Sequence, residues 1–192
     1  MNILPVISRR FLLIVPVLIL SSIAPPITHA SQPTVREYQV KAKYLYSFTK
    51  FIAWPEQAFS SSSKNLHLCV LGENLFSKAL DLIIRKHNER KGVKYILDAS
   101  YLNTVEEAKG CHVLYISDSE EHYRASILEY VASQSTLTVS DMPNFAIGGG
   151  MIQLYRRKNK IRFIIDPQTI RDAGLEPHAN LLRISERVSK KR

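Results

Sequence analysis

The 192-residue chain carries 26 basic and 17 acidic side chains, a formal charge of +9 at pH 7, with 45% hydrophobic residues and two cysteines. That length predicts one folded domain with a single substantial core rather than a string of domains. The basic excess admits nucleic acid, anionic lipid or an acidic protein as partner. Neither cysteine has a second ligand at CxxC spacing, which argues against a zinc site.

The first thirty residues read as a secretory leader. Arg9 and Arg10 form a positive segment, Phe11 to Leu20 is an apolar run broken only by Pro16, and Thr28-His29-Ala30 offers a small-residue cleavage site. The run is about ten residues, against the roughly twenty needed to span a bilayer. Residues 1–30 are therefore expected to be removed after Ala30, delivering residues 31–192 as a soluble α/β domain to the periplasm. Loss of the leader leaves 24 basic against 17 acidic side chains, a net +7. An exported protein meets little nucleic acid, so an acidic protein or anionic lipid is the expected partner.

Along the mature chain, Val35 to Ile52 has helical periodicity. Val40, Tyr44, Ser47, Phe48 and Phe51 form one stripe, widened by Leu45 and Ile52, with Lys41, Lys43 and Lys50 expected to face elsewhere. Trp54-Pro55 stops it, and Ser60 to Ser63 reads as a loop. Leu66 to Leu71 is a short apolar strand. Asn74 is expected to cap a second helix with Leu75, Ala79, Leu82 and Ile83 on its buried face. Val93 to Leu97 reads as a strand, Tyr101 to Lys109 as a short helix, and Val113 to Ser117 as a third strand. Ser117 to Glu120 resembles a capping box opening a helix that buries Tyr123, Ile127, Tyr130 and Val131. Leu137 to Val139 is strand four. This alternation predicts a mostly parallel sheet with helices on both faces.

The end of the chain departs from that rhythm. Met151 to Tyr155 and Ile161 to Ile165 are spaced as an antiparallel hairpin, on which Arg156, Arg157, Lys158, Lys160 and Arg162 crowd. Pro167 starts a short helix that stops near Gly174, and Leu181, Ile184, Ser185 and Val188 mark a last one. Gly148-Gly149-Gly150 precedes a strand rather than a helix, so it lacks the context of a phosphate cradle. A turn needing positive φ, or a close backbone approach, explains it better. Phe145, just before it, is either an exposed contact anchor or a buried pin for the loop.

Catalytic and ligand signatures are missing: no GxSxG, HExxH, P-loop or EF-hand pattern occurs. His67, His87, His112, His122 and His178 have no ligand spacing and read as structural. No catalytic residue, metal or cofactor is therefore expected, and the chain reads as a non-enzyme. Cys69 and Cys111 in an oxidising compartment form either a disulfide or two buried thiols.

Several stretches resemble the YfiR-like family of periplasmic proteins: Lys41 to Pro55, Cys69 to Gly72, Gly110 to Ser117, Leu137 to Asp141, Phe145 to Ile152, Ile161 to Asp166, Ala173 to Leu175 and Leu181-Leu182. Their number, order and spacing carry the resemblance from about Val35 to Val188. It implies a periplasmic repressor, often dimeric, that binds the periplasmic sensory domain of an inner-membrane diguanylate cyclase and lowers cyclic-di-GMP output. It also implies sequestration by an outer-membrane lipoprotein and a disulfide between Cys69 and Cys111. Family members can carry a second cysteine pair near the glycine-rich turn; this chain has none there. Phe145, Arg162 and Arg171 are the candidate partner contacts. A small-molecule sensor domain working with a membrane histidine kinase is the alternative, with a ligand expected at the carboxyl edge of the sheet.

Overall fold

A computed structural model describes residues 34–59 and 65–188. The expected leader, the serine run and the basic end of the chain lie outside the described residues. The chain opens with α1 (Val35–Phe51), begun by Thr34, whose side chain accepts from the Glu37 amide. The short β1 (Ile52–Ala53) follows. Then come β2 (Asn65–Leu71), α2 (Ala79–Asn88), β3 (Ile96–Leu102), β4 (Val113–Ile116), α3 (Arg124–Val131) and β5 (Leu137–Ser140). The last third holds β6 (Ile152–Arg157), β7 (Lys160–Ile165), α4 (Pro167–Asp172), β8 (Glu176–Pro177), α5 (Ala179–Ile184) and β9 (Glu186–Arg187).

The main sheet has seven strands in the order β3-β2-β4-β5-β6-β7-β9, and β1 pairs with β8 in a separate antiparallel ladder. All main-sheet neighbours are parallel except β6 and β7. The expected mixed α/β class is thus what the chain adopts. Alternation along the central strands explains why both faces are covered. Leu66, Leu68 and Val70 pack with Ala42, Leu45, Phe48 and Leu80 of α1 and α2 on one face. Cys69 and Leu71 pack with Ile127 and Val131 of α3 on the other. A strand buried on both sides reads as a continuous apolar run, as β2 and β4 do.

Several local expectations are corrected. Asn74 caps a turn rather than a helix: the Phe76 amide donates to its side chain at 3.0 Å, and Ser77 has φ of 51°. α2 therefore starts only at Ala79 and buries Leu80 and Ile84, leaving Leu82 exposed. The third strand runs from Ile96, because the Asn88 side chain bonds both the amide and the carbonyl of Leu97. The expected helix after Tyr101 is the end of that strand, followed by a single 3-10 turn at Val105–Ala108 with a Thr104/Glu107 capping box. Ser117 makes no capping bond, Tyr123 and Tyr130 are exposed, and only Ile127 and Val131 of that face are buried. The hairpin strands extend to meet at a two-residue turn, Lys158-Asn159, both at positive φ, the conformation that matches strand twist. The last helix ends at Ile184, which is exposed, and gives way to β9.

Candidate functional site

The strand order reverses between β2 and β4, and in open α/β sheets ligands sit at the carboxyl ends of strands at such a point. In this chain the crevice is filled by its own side chains. A Cβ on Gly72 would lie 2.5 Å from Ser119 Oγ, and the Glu73 amide donates to that same hydroxyl at 3.0 Å. Phe76 stacks edge-on against Tyr38 and Tyr115 beside it.

Next to the crevice a buried polar network ties α1 to β4 and β5. Lys41, expected on an outer face, is only 2% exposed. Its ammonium lies 2.5 Å from Asp141 Oδ2 and 2.7 Å from Glu37 Oε1, and 4.2 Å above the Tyr38 ring. Tyr38 donates to Asp141 Oδ2 at 2.9 Å and Tyr115 donates to Asp141 Oδ1 at 2.6 Å. Burial, followed by the Asp141 charge, pushes both phenols above the ordinary tyrosine value. They therefore stay protonated as donors, and both Asp141 oxygens are engaged. The buried face of the helix thus lies at Tyr38, Lys41, Ala42, Leu45, Phe48 and Thr49, rotated from the apolar stripe. The arrangement has the character of an anchor: a satisfied buried ion pair holding one helix in one register.

The network reaches the surface through Glu37, whose second oxygen lies 3.7 Å from Arg156 Nη1. There the first turns of α1 and the β6–β7 hairpin enclose an open groove of about 860 Å³. Arg36, Arg156, Lys160 and Arg162 line it, with Glu37 as the lone acid. The hairpin is held against the helix by the Tyr44 hydroxyl, which donates to the Ile161 carbonyl at 3.0 Å. Rings of Tyr44, Phe48 and Phe163 support the contact from below.

The sequence-expected residues scatter. Arg162 is exposed and lies in the groove. Arg171 is exposed on α4, 3.4 Å from Glu176 and apart from the groove. Phe145 is fully buried and offers no ring to a partner. It pins the loop instead, because a Cβ on Gly150 would fall 2.2 Å from its ring. The close approach at this glycine is therefore to a side chain, while Gly149 supplies the positive φ. Cys69 and Cys111 form a disulfide with Cα atoms 6.0 Å apart, tying β2 to the loop before β4. Among the described residues no cluster of three or more His, Cys, Asp or Glu side chains could hold a metal ion. Sequence reasoning missed Glu37, Tyr38, Lys41, Tyr115 and Asp141. The available signal was Glu37 and Lys41 one turn apart, with an aspartate directly after an apolar strand.

Fold and site together define a mostly parallel α/β domain with a closed ligand crevice and a basic lateral groove. The chain belongs to the DUF4154 family, described as YfiR/HmsC-like, whose model matches residues 38–186. Membership points to regulation of diguanylate cyclase signalling in the periplasm, a regulatory and non-catalytic role. Among the described residues no helix is long and apolar enough to cross a membrane. No protein of curated function matches the sequence. In structure the chain is similar to the ABC domain in complex with L-Trp from Streptococcus pneumonia, at a TM-score of 0.47 and 7% identity. That match covers 79% of this chain and spans 60% of the other.

Proposed function

We propose that this protein, exported by its leader, binds the periplasmic sensory domain of an inner-membrane diguanylate cyclase and holds cyclic-di-GMP synthesis down. The observation that carries the reading is the family match from α1 to β9, which takes in nearly every element of the domain. Repression would work by differential affinity: the regulator shifts a two-state cyclase only by as much as it prefers the inactive state. A rigid scaffold suits that task, and both the buried Lys41–Asp141 pair and the Cys69–Cys111 bridge stiffen it. Self-association as a dimer and release by an outer-membrane lipoprotein belong to the same proposal. The small-molecule alternative has weaker support, since chain atoms occupy the crevice where a ligand would sit.

Deletion of the gene is expected to raise cellular cyclic-di-GMP and biofilm mass, and a plasmid copy to restore both. Unchanged cyclic-di-GMP in the deletion strain, with the protein present in the parent's periplasm, would overturn the cyclase as partner.

A further inference from the structure

The groove between α1 and the β6–β7 hairpin has a charge pattern with a specific consequence. Four cations line it against one carboxylate, and that carboxylate is committed inward, with Glu37 Oε1 held 2.7 Å from Lys41. Among the described residues Arg36, Lys160 and Arg162 have no ion-pair partner, so their charges are uncompensated. Arg156 is only loosely held, at 3.7 Å from Glu37 and 3.3 Å from Asn159 Oδ1. We propose that this groove takes an extended, carboxylate-rich segment of the partner protein, read by Arg36, Arg156, Lys160 and Arg162. The inference rests on the regulator reading above and names how that contact is made.

Three observations favour an acidic peptide over other anions. Strand addition is a poor fit, because β9 already holds the outer edge of β7 at Ile164 and Ile165 and, within the groove, the Ile161 carbonyl already accepts from Tyr44. Recognition must then come from side chains, and arginine forks match carboxylates in two-point geometry. A bilayer surface is a poor fit. The charges line a concavity, and the apolar lining residues Val40, Tyr44 and Ile161 are half-buried, so the groove wall offers little to insert among lipids. The volume suits several extended residues rather than a single small ion.

The test uses the mature protein purified from the periplasm, with a fluorescent hexaglutamate peptide as probe. Hexaglutamine and phosphatidylglycerol vesicles serve as the other two arms. The wild type is expected to bind hexaglutamate and not hexaglutamine, more weakly as salt rises. Arg156→Glu/Arg162→Glu should weaken that binding by roughly tenfold or more. Lys86→Glu/Arg90→Glu, the same charge change at the end of α2 and in the turn after it, should leave it within about twofold, since only charges at the contact count heavily. Glu37→Gln, which removes the lone acid, should tighten it. Absence of hexaglutamate binding, equal loss in both double variants, or vesicle capture that the peptide does not displace would overturn the groove assignment. The assay contains no cyclase, so the two ideas fail separately. Groove-dependent peptide capture with unchanged cyclic-di-GMP in the deletion strain removes the cyclase and keeps the groove. The reverse result removes the groove and keeps the regulator.

Discussion

Lys41, on the buried face of α1, and Arg162, in the groove between α1 and the hairpin, are both cations, yet they do opposite work. Lys41 is sealed in with Asp141 and two phenols, and its side chain is 3% exposed. Arg162 stands in an open groove with no ion-pair partner among the described residues. Burial decides the difference. A charge removed from water must be matched on every side, so it fixes geometry and contributes stability only through its partners. An exposed charge contributes little to the fold and remains available to another molecule.

The comparison breaks most visibly at Asp141. Asp141→Ala strips Lys41 of its closest partner and leaves two buried phenols without their acceptor. Urea unfolding should show a loss of about 3–5 kcal/mol. Lys41→Met should cost less, because Asp141 keeps both tyrosine donors and Glu37 keeps Arg156. An equal or larger loss from Lys41→Met would mean that the lysine, not the aspartate, organises the cluster.

Replacing both cysteines by alanine should lower stability by about 2–4 kcal/mol, given the 42-residue separation of the bridged positions. Peptide capture by the groove should persist, because the bridge lies on the α3 face.

A smaller effect is expected from acid. His112 is pushed down to about 4 by burial and then by the nearby His67, and the neutral ring accepts from the His67 amide at 3.2 Å. The unfolded chain, with a value near 6.5, binds the proton first. This contribution is therefore fully present above pH 6.5 and is lost as pH falls from there towards 4. Down to about pH 5 the loss should be on the order of 2 kcal/mol, and His112→Gln should flatten that part of the stability–pH curve.

The smallest effect belongs to Arg162→Ala, which should leave stability within about 0.5 kcal/mol while weakening hexaglutamate capture. A large stability loss there would erase the distinction between the two cations.

Much of the scaffold was legible in the sequence. The runs Leu66–Leu71, Val113–Ile116 and Leu137–Val139 are apolar but for His67 and Thr138 because helices cover both faces, and they stood out for that reason. The hairpin and the Pro167 helix followed from spacing and from proline at a helix start, where Asp166 accepts from the Gln168 and Thr169 amides. β3 was misplaced because an edge strand alternates only weakly between buried and exposed positions. The network was not legible, since periodicity counts lysine as an outward residue. Nothing local reveals that Asp141, a hundred residues away, completes its environment. Phe145 stayed open for a related reason: whether a loop aromatic is buried depends on Gly150 folding back beneath it.

The most direct measurement places a membrane diguanylate cyclase from the same cell in nanodiscs, with both faces accessible, and titrates in the purified mature protein while following conversion of GTP to cyclic-di-GMP. The account predicts saturable inhibition that Arg156→Glu/Arg162→Glu weakens and Lys86→Glu/Arg90→Glu does not. Turnover that is unchanged at saturating, demonstrably folded protein would contradict it.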